Sequence, residues 1–192
     1  MNRVITISRE FGSGGRTIGR KVAEKLGIPC YDAEIIEKIA EESGYSGDYI
    51  RSEGEGASDR WLSNLFSNRA MGPTNQDTIW VIQSRIIREL AEKGPCVIVG
   101  RCADYILRDR KDVLNIFIYA DTDARIANIV ERDGISEKEA LSDIKKSDKT
   151  RAAYHNFYSD RKWGKPECYH AMFNSSLGVD AIVKTIMMLY KA

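Results

Sequence analysis

The chain of 192 residues has only two histidines, His155 and His170, and only four cysteines, Cys30, Cys96, Cys102 and Cys168. No Cys-x-x-Cys pair occurs. The cysteine pattern argues against a metal site and for separate thiols, with Cys30 and Cys96 in or beside apolar runs. Free thiols place the chain in a reducing, cytoplasmic compartment. Each histidine is expected to be a packing or surface residue rather than a general base. No apolar run approaches the roughly 20 residues of a membrane span. No long apolar segment follows the first basic residue, so neither membrane nor secretory signal is expected. The net charge is +1. That is too small for a broad basic surface, so nucleic acid is not an expected partner. Neither an internal repeat nor a low-complexity tract is visible.

What is present fits a globular chain with a real core: 43% hydrophobic and 30% charged residues. The length predicts one domain over 1–192. "RVITIS", Arg3 to Ser8, is a β-branched run and reads as the first strand. Thr17 to Leu26 reads as a helix with Ile18, Val22 and Leu26 on one face, ended by Gly27. "IPCYD" is a short strand and "AEIIEKIAEESG" a helix. The stretch 45–74 is polar apart from "RWLSNLF" and is expected to be a mobile insertion on the acceptor side. Its apolar "WLSNLF" piece is a candidate homo-oligomer interface. A long helix follows, with Asn75 as N-cap and Gly94 as stop. "PCVIVG" and "VLNIFIYA" are continuously apolar strands. Ser136 stands three residues before Glu139, a capping-box spacing that opens a helix. "YHAMFNSS" and "VDAIVKTIMMLYK" supply a last strand and a last helix. Strands alternating with helices, the best of them apolar throughout, predict an α/β three-layer sandwich. Its central parallel sheet has about five strands.

The stretch "VITISREFGSGGRTIG" is a strand, a glycine-rich turn and a helix start. Gly12, Gly14 and Gly15 let backbone N–H groups converge, and Ser13 lies among them. The helix start adds its positive end, so the turn is a candidate anion cradle. Set against G-x-x-x-x-G-K-[ST], Gly15-Arg16-Thr17 has Arg for Lys, and Glu10 replaces the first Gly. Arg16 still carries a cation able to neutralise β- and γ-phosphate oxygens. Thr17 stands where a hydroxyl holds Mg²⁺. The bland alternative is a glycine-rich turn with Arg16 on a solvated face.

Two further clusters belong with it. "KKSDKTR" groups Lys145, Lys146, Asp148, Lys149 and Arg151. It is either a solvated face or a lid over about 145–168 that closes on a transferring phosphoryl group. Arg101 ends the strongest strand and is expected to face the same crevice, opposite Asp32.

The segments "SREFGSGGRTIG", "VGRCAD" and "RKWGKPECYHAMFNSSLG" together resemble the cytidylate kinase-like family, over essentially the whole chain. The resemblance implies a P-loop kinase fold with ATP as donor and Mg²⁺ as cofactor. It implies that Asp32 begins the monophosphate-binding helix and that Arg101 holds the acceptor's phosphate. It also places Asp148 and Arg151 in the lid. Cys102 follows Arg101 where cytidylate kinase proper has Asp, and Ala33 follows Asp32 where it has Ser. The expected activity is transfer of a γ-phosphoryl group to a nucleoside monophosphate of CMP type or another small acceptor. Arg16 and Arg151 would be catalytic, Gly12 to Thr17 would bind nucleotide, and Asp32, Arg101, Lys146 and Lys149 would bind substrate. The alternative is a non-catalytic nucleotide- or anion-binding module on the same fold.

Overall fold

The computed structural model describes residues 3–53 and 75–192. Five strands form one sheet: β1 (Val4–Arg9), β2 (Cys30–Tyr31), β3 (Cys96–Val99), β4 (Val113–Tyr119) and β5 (Ala171–Asn174). Their order is β2-β3-β1-β4-β5, and every pairing is parallel. The helices are α1 (Gly15–Leu26), α2 (Ala33–Ser43), α3 (Gly47–Glu53), α4 (Asn75–Lys93) and α5 (Ala103–Ile106). Then come α6 (Thr122–Asp133), α7 (Glu137–Tyr158) and α8 (Val179–Lys191). The three-layer α/β sandwich expected from the alternation is the architecture observed.

The two-residue period of the strands divides the core. Ile5, Ile7, Val97, Val99, Leu114, Ile116 and Ile118 point to one face and pack on α1 and α8. Val4, Cys96, Ile98 and Val113 point to the other and pack on α2, α4 and α5. The second face is less apolar than the sequence suggests. Thr6 Oγ1 donates to Asn115 Oδ1 at 2.7 Å, between residues paired in the β1–β4 register. A buried polar pair is tolerated because each partner satisfies the other.

Several local expectations are refined. The capping box at α7 is complete: Glu139 N–H donates to Ser136 Oγ, and Ser136 N–H donates to Glu139 Oε2 at 3.0 Å. Asn75 is the first helical residue of α4 rather than a cap before it. Within 45–74, residues Gly47–Glu53 form α3, whose Ile50 is fully buried. Residues 54–74 of that insertion, with "WLSNLF", lie outside the described residues. All four cysteines are free thiols. Burial pushes the Cys30 and Cys96 thiols up to about 11, helped at Cys30 by the Asp32 carboxylate. Both are therefore thiols rather than reactive thiolates near neutral pH. Among the described residues no helix is long and apolar enough to cross a membrane.

Ile116 is completely buried between β1 and β5 on the α1–α8 face. Ile116→Ala should lower the unfolding free energy by about 2–5 kcal/mol in urea titrations. A loss under about 0.5 kcal/mol, the range of surface changes, would contradict this core.

Candidate functional site

The β1–α1 turn lies at the carboxyl ends of the strands, where α/β sheets bind ligands. Gly14, at φ +80°, is the N-cap of α1 and brings no side chain to cap it. Ile18 N–H makes the first intrahelical bond, to Gly14 O. The N–H groups of Gly15, Arg16 and Thr17 therefore have no partner within the helix. Gly15 is required by contact: a Cβ there would lie 2.5 Å from the Arg9 Cβ.

The turn's carbonyls are held from outside. Arg151 Nη1 donates to Arg9 O at 3.0 Å, and the buried Ser13 Oγ donates to Glu10 O at 2.9 Å. Arg125 Nε donates to Phe11 O at 2.7 Å, and Asn128 Nδ2 donates to Gly12 O at 2.9 Å. Four consecutive negative dipole ends are fixed to side-chain donors, while α1 presents its N–H groups. That combination favours an anion.

Arg125 is the centre of this scaffold. It is 5% exposed, with Nη1 at 3.2 Å from Glu10 Oε2 and Nη2 paired with Asp148. Asp148 Oδ1 in turn accepts the Phe11 N–H at 2.8 Å. One buried cation thus joins β1, α6 and α7. Burial raises the Glu10 carboxyl and outweighs the lowering from the Ala120 N–H and from Arg125.

A cavity of about 800 Å³ opens over the turn. Gly12, Ser13, Gly14, Gly15, Arg16 and Thr17 line it on one side, with Arg9, Arg132 and Arg151 beside them. Four arginines stand against two carboxylates, Glu10 and Asp133, in its lining. The size suits a ligand as large as a nucleotide. The guanidinium groups of Arg132 and Arg151 both lie over the Phe11 ring, at 5.3 and 5.5 Å.

Arg16 Nε stands 2.5 Å from Asp32 Oδ2. The Arg16 side chain is 60% exposed and the Asp32 side chain 9%, so solvent reaches the pair from the arginine end only, and moving Arg16 away requires another partner for the buried carboxylate. The sequence pointed Asp32 toward Arg101, whereas its ion-pair partner here is Arg16. Arg101 itself sits in a turn of three successive left-handed residues: Gly100 (φ 73°), Arg101 (φ 59°) and Cys102 (φ 53°). Arg101 is 8% exposed. Left-handed backbone costs a non-glycine residue roughly 1–2 kcal/mol, and such strain collects at functional sites. Lys146 and Lys149 are exposed on α7 and do not line the cavity.

Arg9, Arg125, Asn128 and Arg132 were not singled out by sequence. Arg125 alone carried a signal, as a charged residue four before Ile129 on the buried stripe of α6. His155 is buried and its Nε2 lies 2.8 Å from Asp104 Oδ2. His170 accepts the Asn115 N–H through Nδ1 at 2.8 Å. His155 is thus a buried residue and His170 an exposed one.

A profile of the cytidylate kinase-like family matches residues 4–177. Cytidylate kinase of Ignicoccus hospitalis is 28% identical over 185 residues, 95% of this chain and 96% of its own. Cytidylate kinase of Pyrococcus horikoshii is 28% identical over 157 residues, 81% of this chain and 71% of its own. Among solved structures, an uncharacterized protein from Eubacterium ventriosum superposes with a TM-score of 0.77 at 32% identity, covering 100% of this chain and 99% of its own. Shikimate kinase from Bacteroides thetaiotaomicron covers 98% of each chain at 15% identity and a TM-score of 0.54, a likeness of fold alone.

Arg125→Met leaves Glu10 and Asp148 without their cation and should cost about 3 kcal/mol in denaturant titrations. Adding Asp148→Asn should recover part of that loss, because one stranded charge disappears. Strictly additive losses would refute the ion cluster.

Proposed function

Because the chain belongs to the cytidylate kinase-like family, we propose that it is an ATP-dependent phosphotransferase. It moves the γ-phosphoryl group to a nucleoside monophosphate of CMP type or to another small acceptor. The observation that carries this reading is the uncapped amino end of α1 opening into an arginine-lined cavity.

The residues present fit ATP and Mg²⁺. Gly14, where a side chain would enter open space, leaves room for the phosphates, Gly15 lets the turn pack against Arg9, and the free N–H groups of α1 supply donors. Among the described residues no group of three or more His, Cys, Asp or Glu side chains forms a metal cage. Mg²⁺ takes few protein ligands and relies on phosphate oxygens and water. The Thr17 hydroxyl would hold the ion, which when bound neutralises charge on the β- and γ-oxygens.

In this mechanism Arg16 leaves Asp32 and turns onto the phosphates over Gly12 to Thr17. The freed Asp32 and Arg101 orient the acceptor. Arg151, already anchored beside Arg9, bears on the transferring group, and α7 with the segment to about 168 acts as the lid. Lys146 and Lys149 add to the positive field that draws nucleotide anions. Transfer then rests on positioning and electrostatics, with no covalent intermediate. Free thiols throughout suit a cytoplasmic enzyme.

One observation favours a second reading, a nucleotide-binding module without turnover. β3 ends on Val99, where a metal-associated carboxylate would stand, and Asp104 beyond it is bonded to His155. One pair of measurements separates the two. ATP with Mg²⁺ at a hundred times its Kd should add about 2.7 kcal/mol, raising Tm by roughly 5–10 °C. A coupled assay across nucleoside monophosphates should then release ADP with at least one acceptor. A Tm rise without ADP from any acceptor would establish the binding module. No Tm shift would overturn the phosphate cradle. Arg16→Ala should weaken ATP at least tenfold, and unchanged affinity would remove Arg16 from its role.

A further inference from the structure

We infer that Gln83 is a positioning residue for Arg101, and that Tyr154 shares it so that α7 helps set the acceptor-side turn. This rests on the reading of Arg101 as the residue that holds the acceptor's phosphate.

Gln83 stands on the buried face of α4, four residues after Ile79 and three before Ile86. It is 0% exposed. Stability alone asks for a hydrocarbon there, because a buried amide must satisfy its polar atoms or lose free energy. Gln83 does not satisfy all of them: its Oε1 is buried with no hydrogen-bond partner among the described residues. Its Nε2 is fully used. It donates to the Arg101 carbonyl at 3.1 Å and to the Tyr154 hydroxyl oxygen at 3.2 Å. The amide orientation follows, since only an N–H group can face a carbonyl.

The Arg101 carbonyl belongs to the peptide joining two left-handed residues, Arg101 and Cys102. Fixing that oxygen fixes the strained peptide, and with it the direction from which the Arg101 side chain departs. Without such a restraint, non-glycine residues drift back to right-handed backbone.

Tyr154 brings α7 into the same contact. Its side chain is buried, and its hydroxyl shares the Gln83 amide with the Arg101 carbonyl. One turn earlier on the same helix, Arg151 holds the Arg9 carbonyl, and the next residue, His155, bonds Asp104 on α5. A single turn of α7 therefore touches the phosphate loop, the Arg101 turn and the helix after it. Any displacement of that turn reaches both sides of the site.

The full-length chain is tested with Gln83→Met, which keeps volume and removes both donations, and with Tyr154→Phe, which removes only the hydroxyl. The probes are CMP and ATP, each titrated alone by calorimetry, together with amide hydrogen exchange. Gln83→Met should weaken CMP at least tenfold and ATP less than twofold. Exchange at amides 101–104 should rise at least tenfold, with α1 unchanged. Tyr154→Phe should weaken CMP about threefold in the same selective way, and it carries the test if Gln83→Met fails to fold. Equal weakening of CMP and ATP would overturn the inference, as would unchanged exchange at 101–104 in a folded variant. If the unmodified chain binds no nucleoside monophosphate, the acceptor assignment falls, and the exchange data still decide the role of Gln83.

Discussion

The guanidinium of Arg125 is the constraint on which the site depends. A glycine-rich turn has many conformations, and glycines alone do not select one. Arg125 selects by holding the Phe11 carbonyl while pairing with Glu10 and Asp148, and Asp148 holds the Phe11 N–H. Both polar groups of one loop residue are thus fixed by a charged network that spans three elements. Taking the arginine out of water is expensive, and the two carboxylates offset that cost only while all three groups stay together. The cluster makes the loop's shape conditional on the docking of α6 and α7.

This dependence links the two halves of the site. On the phosphate side, outward-held carbonyls and an uncapped helix end create an anion cradle with arginines around it. Beside it, three left-handed residues form the turn of the buried Arg101, which does not line the cavity. α7 touches both within the turn 151–155. Arg16, resting on Asp32, lies between them and is exposed enough to move. The preorganised parts are backbone and buried, and the adjustable part is a solvated side chain.

The layers of the fold were legible in the sequence because they are local. The apolar runs at 96–99 and 113–119 have a strand's length, and the stripes of α1 and α4 have a helix's period. The capping box at Ser136 is written in three residues. The strand–turn–helix of the glycine loop was legible for the same reason, since its parts are contiguous. What was hidden is long-range. Arg125 meets Phe11 across 114 positions of sequence, and Gln83 meets Tyr154 across 71. A lone charge on a buried helix face hints at such a partner without naming it. The pairing of Asp32 with Arg16 was missed for a related reason. Strand order puts Asp32 beside β3 and hence near Arg101, while the reach of Arg16 from the start of α1 is a matter of side-chain length.

The register of the sheet also orders events in time. Val4 is paired with Cys96 on one side and with Val113 on the other. β1 therefore has no paired neighbour until Cys96 and Val113 have followed it off the ribosome. Its loop takes final shape later still, because Asp148 and Arg151 must arrive to hold it. Contacts this distant in sequence form slowly, and an apolar strand waits exposed meanwhile. The most recognisable stretch of the sequence is thus synthesised well before the residues that complete it.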